Sequence, residues 1–143
     1  MPTNNWELLN SAKVPAKPDA GIWTLLAEDL PDFQRLKITA TGQWEYTDKF
    51  PSACTADGDT TSAMDQAHCI YSQAPIGALI GKFGGSNMGV SDGVVFLIGS
   101  LCIYERPADC KIPYPCLFVT INDRLDGFSD NSGELSVSLE KSR

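Results

Sequence analysis

The chain has 143 residues, 43% of them hydrophobic and 20% charged, which fits one globular domain and excludes a disordered chain. Eleven Lys and Arg against eighteen Asp and Glu give a formal net charge of −7, a balance that argues against a nucleic-acid binder and suits a protein that binds cations. The longest apolar run, Val94–Tyr104, is broken by Gly99 and Ser100 and falls short of the ~20 residues of a membrane span.

Helical periodicity is weak throughout, and the chain reads as short strands divided by turn residues. Residues 1–35 begin as an extended arm marked by Pro15, Pro18 and Gly21, with a first strand over Ile22–Leu26 and a turn over Glu28–Asp32. The opening Met1-Pro2-Thr3-Asn4-Asn5 lacks the charged and apolar regions of a signal peptide. Leu36–Thr41 alternates and is expected to stop at Gly42. Thr47–Gln73 is polar, contains Asp57-Gly58-Asp59, and reads as one long loop of the kind that is usually functional. Ile76–Phe83 is an apolar strand ending at Gly84-Gly85, and Val94–Tyr104 is a second, long buried strand. In Cys116–Asn122, Leu117, Val119 and Ile121 share one face, with Phe118 and Thr120 on the other. Glu134–Glu140 alternates cleanly, with Leu135, Val137 and Leu139 inward. Segments this short and evenly spaced predict a single all-β domain over 1–143, a small antiparallel sandwich or jelly roll.

Five cysteines, Cys54, Cys69, Cys102, Cys110 and Cys116, are many for a small domain and lean toward an oxidising, extracellular compartment. Cys54 and Cys69 flank the polar loop and are placed to close it. Two of Cys102, Cys110 and Cys116 are placed to staple the next hairpin, which leaves one thiol free or paired between chains. The alternative is a set of reduced, mostly buried cysteines in a cytosolic protein. With a single histidine, His68, no zinc spacing is present.

The densest chemistry lies between the last two strands, from Asn122 to Glu134. Here Asp123, Asp126, Asp130 and Glu134 crowd together with Asn122 and Asn131, against one cation, Arg124. Folding such a loop compactly pushes carboxylates together, which is unfavourable until a cation neutralises them. Calcium, with six to eight oxygen ligands, is the natural candidate. An EF-hand is excluded: with Asp123 as the first position, Glu134 falls correctly at the twelfth. But Phe128 occupies the sixth, where glycine is needed, and the flanks are strands. The competing reading is a solvated hairpin loop, because Asp, Asn, Ser and Gly are ordinary turn formers.

At these residues the sequence resembles the bacterial galactose-binding PA-I-type lectins. The likeness is carried by Ile121-Asn122-Asp123, by Gly127-Phe128-Ser129-Asp130-Asn131-Ser132-Gly133 and by the alternating strand after it. Ile38–Trp44 and Pro75–Lys82 match upstream in the same order, so the resemblance spans roughly residues 36–140. It implies a jelly-roll sandwich with one calcium ion at its rim, to which galactose binds through its 3-OH and 4-OH. It implies that Asp123, Asp130 and Asn131 ligate Ca2+ by side chains, with Asp130 standing where the family has asparagine. Tyr46 and Gly127 are implied to ligate by backbone carbonyls. The implied sugar contacts are Asp123, Asp130 and Tyr46, with Gln66 of Asp65-Gln66 reaching the exocyclic hydroxymethyl group. The family's histidine position falls near Ala63, and His68 stands close enough in sequence to replace it.

The expected protein is therefore a secreted, non-enzymatic, calcium-dependent lectin for galactose-terminated glycans. It is expected to form a homo-oligomer, with a disulfide-linked dimer through the odd cysteine as one route to multivalency. Catalysis lacks a motif: there is no Gly-x-Ser-x-Gly, Phe83 follows Lys82 where a P-loop needs Ser or Thr, and Glu45, Asp65, Glu105 and Glu134 offer no evident pair. A calcium-dependent membrane-surface or adhesion sandwich is the rival class. It calls for basic or apolar loop tips, for which the sequence offers only Arg124 and Phe128. Trp44 is expected in the core and Asp126 in a turn with Gly127.

Overall fold

A computed structural model of the chain describes residues 5–19, 21–61, 66–84, 95–106 and 116–142. Its strands are β1 (Trp6–Pro15), β2 (Thr24–Ala27), β3 (Arg35–Glu45), β4 (Ala53–Cys54), β5 (Leu79–Gly84), β6 (Val95–Leu97), β7 (Leu101–Glu105), β8 (Cys116–Ile121) and β9 (Ser132–Ser142). No α-helix occurs among the described residues.

The strands form two antiparallel sheets. In the first, β9 lies between β1 and β3, while β4 and β7 pair with opposite ends of β3. In the second the order is β2-β8-β5-β6. The sheets pack face to face because each strand turns one apolar row inward. Leu36, Ile38, Ala40 and Trp44 of β3 and Leu135, Val137 and Leu139 of β9 meet Leu79 and Phe83 of β5 and Leu117, Val119 and Ile121 of β8. Each fully buried aliphatic side chain of this kind contributes about 1.5–3 kcal/mol relative to leaving it in water. The fold is thus the all-β sandwich the alternation predicts.

The second sheet is covered on its outer face as well, which explains why β5 reads as a continuous apolar run. Ile80 packs there with Ala74, Ala78, Trp23, Ile70 and Tyr71. Lys82 is only 1% exposed, its ammonium 4.8 Å from the Trp23 ring centroid and 5.7 Å from that of Phe118, where the ring faces attract the cation. Thr120, also buried, donates to Ile22 O at 2.6 Å.

Five expectations are corrected. The N-terminal arm contains a full strand: β1 runs along β9 from Trp6↔Ser142 to Pro15↔Glu134, and Pro15 is tolerated because it ends an edge strand. β3 does not stop at Gly42, which pairs with Leu135 and carries the ladder on to Glu45. The apolar run 76–83 opens as a turn, Ala78 N donating to Pro75 O, so β5 begins only at Leu79. The single strand expected over 94–104 is two strands in different sheets. Gly99, at φ +66°, turns the chain between them, and Ser100 N donates to Asp57 Oδ1 at 2.8 Å. The 47–73 segment is less open than a plain loop, holding β4, an Asp57↔Ala78 bridge and a short 3₁₀ turn at Gln66–His68.

The expected disulfides do not form among the described cysteines. Cys54 and Cys69 are not bridged, and Cys102 and Cys116 are thiols. Cys54 belongs to β4 opposite Trp44, its Sγ 3.8 Å from Gly77 O, and burial, with Asp59 nearby, pushes its thiol up to about 12. Such a thiol packs as a small apolar group and is a poor nucleophile. The expectations for Cys110, Ala63 and Asp65 lie outside the described residues.

Candidate functional site

The ends of β3 and β8 and the start of β9 meet at one end of the sandwich. The chain leaves β3 through Tyr46 and Thr47 and returns at Ser52. Ser52 closes this short loop reciprocally: Thr47 N donates to Ser52 Oγ at 3.1 Å, and Ser52 Oγ donates to Thr47 O at 2.8 Å. It leaves β8 through Asn122 and Asp123, turns at Arg124–Gly127 with Gly127 N donating to Arg124 O, and passes a 3₁₀ turn at Phe128–Asp130 before Asn131.

Asn122 locks this end. Its Oδ1 accepts from Tyr71 N at 2.9 Å, and its Nδ2 donates to Tyr71 O, Ala74 O and Pro75 O. One buried amide thereby satisfies four backbone groups of the neighbouring loop, and Ile70 N adds a bond to Asp123 O at 3.0 Å. Trp44 is core, as expected, its Nε1 donating to Gly77 O at 2.7 Å.

Between these segments lies a cleft of about 270 Å³ lined by Tyr46, Thr47, Lys49, Asp123, Gly127 and Asp130, with Arg124, Asp126 and Ile76 completing the wall. The structure therefore brings Tyr46, Asp123, Gly127 and Asp130 together. Asp123 is only 3% exposed, and its Oδ1 accepts from Arg124 N at 2.7 Å. Asp130 Oδ2 accepts from Thr47 Oγ1 at 2.9 Å, which joins the β3 loop to the acidic loop. A Cβ on Gly127 would stand 2.9 Å from Asp123 Oδ1, so only glycine lets the turn approach the carboxylate this closely. The Tyr46 hydroxyl donates to Asp59 Oδ2 at 2.7 Å. Asp126 forms its turn and pairs with Arg124 at 3.1 Å.

Asn131, expected as a third side-chain ligand, is 5% exposed and is not among the residues that line the cleft. Its Nδ2 donates to Ala16 O at 3.1 Å, while its Oδ1 is buried and receives no hydrogen bond. An orphaned amide oxygen is worth about 1–3 kcal/mol of lost solvation, which a bound cation or water relieves. The donor set is all oxygen, the chemistry that suits a hard cation such as calcium and not zinc. Among the described residues no three His, Cys, Asp or Glu side chains are grouped to hold a metal ion, so a calcium shell here would need amide or backbone oxygens besides Asp123 and Asp130.

His68 is exposed and does not line the cleft. It ends the Gln66–His68 turn, which lies near the site through the Cys69↔Arg124 bridge. The sugar contact expected of Gln66 concerns a side chain outside the described structure. Thr47, Lys49 and Ile76 were not foreseen: they reach the cleft from other chain segments, and nothing in their local sequence signals it.

A solved structure described as the EclA N-terminal domain, a PllA-like lectin, superposes with a TM-score of 0.56 at 20% identity, covering 94% of this chain and 98% of that one. The chain folds as that lectin domain does. No family model and no curated protein matches its sequence.

Proposed function

We propose that this protein is a secreted, non-enzymatic, calcium-dependent lectin that binds terminal galactose at the cleft between the β3 loop and the β8–β9 loop. The observation that carries the reading is the convergence of Asp123, Asp130, Gly127 and Tyr46 on one cleft from two distant parts of the chain. The orphaned Asn131 Oδ1 and the likeness of the fold to a lectin domain support it. In this reading Asp123, Asp130 and Asn131 hold the ion by side chains, and Tyr46 and Gly127 by main-chain carbonyls. When bound, calcium supplies open coordination positions that a correctly spaced vicinal diol fills in place of water. Thr47 orients Asp130, and Arg124 N orients Asp123, so the carboxylates are set before ligand arrives.

Titrating galactose into the protein by calorimetry, with calcium and then with a chelator, tests this. Heat that requires calcium is the expected result; equal heat in both conditions overturns the calcium dependence. A second reading rests on the exposed Phe50 (39%) and Leu125 (56%), which stand on the two loops flanking the cleft beside Lys49 and Arg124. These are the loop tips a calcium-dependent membrane binder presents. Calcium-dependent binding to anionic vesicles, without heat from galactose, favours it.

A further inference from the structure

We propose that Lys49 makes the cleft select galactosides that carry a negative charge beside the calcium-bound diol, on C2 or on the exocyclic C6, an inference that rests on the lectin reading above. Two cations line the cleft, and they differ. Arg124 is held by Asp126 at 3.1 Å. Lys49 is exposed, and among the described residues no carboxylate lies within 4.0 Å of its ammonium.

Its backbone is nonetheless fixed. Lys49 N donates to Thr47 Oγ1 at 3.3 Å, and the same hydroxyl donates to Asp130 Oδ2. The reciprocal Thr47–Ser52 bonds close the loop beneath it. The lysine thus lines the cleft from a loop tied directly to a calcium-ligand candidate.

The charges then decide the preference. A dication offsets Asp123 and Asp130, and Arg124 offsets Asp126, so Lys49 leaves the occupied cleft with one positive charge on a chain whose formal net charge is −7. A sulfate or carboxylate beside the diol gains this partner at short range; a neutral galactoside does not.

Galactose, galactose 2-sulfate and galactose 6-sulfate, titrated separately with calcium at low ionic strength, provide the test. The 2-sulfate sits on the ring carbon next to C3, and the 6-sulfate on the exocyclic carbon borne by C5, on the C4 side of the diol. At least one is expected to bind about fivefold tighter than galactose, the upper range for an exposed ion pair, with the advantage shrinking as salt is added. Lys49→Met should bring the sulfated-to-neutral ratio to one, and Lys49→Arg should retain it. Equal affinities in the wild type, or a preference that survives Lys49→Met, overturn the inference and leave the lectin reading standing. Absence of binding by all three sugars overturns both. Lys49-dependent binding to phosphatidylserine vesicles with no sulfate preference also overturns it, and assigns the lysine to a membrane surface.

Discussion

The two ends of the sandwich solve the same problem in opposite ways. At the end where β3 and β8 begin, Phe33, Phe83, Phe96 and Tyr104 close the gap between the sheets with their own rings. Phe83 stacks on Phe96 at 5.3 Å and lies 4.9 Å from Tyr104, and Arg106 sits over Phe33 at 5.6 Å. At the end where β3 and β8 finish, the gap is lined by carboxylates, a tyrosine, a threonine and two cations, with the main chain held by Asn122. Burying rings stabilises the first end without help. The second end gathers negative charge and leaves an amide oxygen without a donor, an arrangement that stability alone does not favour. The contrast teaches where to look for binding: at the end whose polar groups are incompletely matched.

The comparison breaks most sharply at Asp123. Asp123→Ala is expected to abolish both calcium and galactose binding, a loss of at least about a hundredfold in each, while the far end stays folded; retained sugar affinity by calorimetry would sink the site assignment. Phe83→Ala should do the reverse. Removing a ring at the centre of the aromatic cluster is expected to lower stability by about 3–4 kcal/mol in urea unfolding, while the folded fraction still binds calcium. A coupled loss of calcium affinity in the folded protein would show that the two ends are not independent. Gly127→Ala sharpens the distinction with a smaller effect. Its Cβ would crowd Asp123 Oδ1, so calcium affinity should fall by about tenfold, like a displaced supporting contact, with the unfolding midpoint nearly unchanged. An unaltered calcium isotherm would mean that the turn gives way freely.

The difference between the ends also explains what was legible before folding. β9 announces itself because it has one wet or half-wet row and one dry row, and period-two alternation reports that directly, whereas β8, buried on both faces, is legible as a short β-branched and apolar run. The acidic loop is legible for a similar reason: Asp123, Gly127, Asp130 and Asn131 are near neighbours in the chain. The strand pair β6 and β7 is not, since an apolar run reports burial and not the sheet that provides it. Only the turn at Gly99-Ser100, held by Asp57, moves the chain across. β1 was hidden because an edge strand alternates poorly, with Leu8 exposed and Val14 buried. Lys49 and Thr47 were hidden because their role is conferred by the loop closed at Ser52, a contact that no motif encodes. Asp57 and Asp59, acidic residues of the long polar segment, serve the fold instead: their carboxylates bind Ser100, Tyr46 and Thr61, and neither lines the cleft.

The Asn131 amide has two ends with two employers. Its nitrogen holds Ala16 O, just past the first strand, and its oxygen faces the unfilled demand described above. Evolution therefore has little liberty to shed or lengthen residues 6–16 on their own. Any lineage that trims that edge strand removes the acceptor that holds this amide beside the acidic loop.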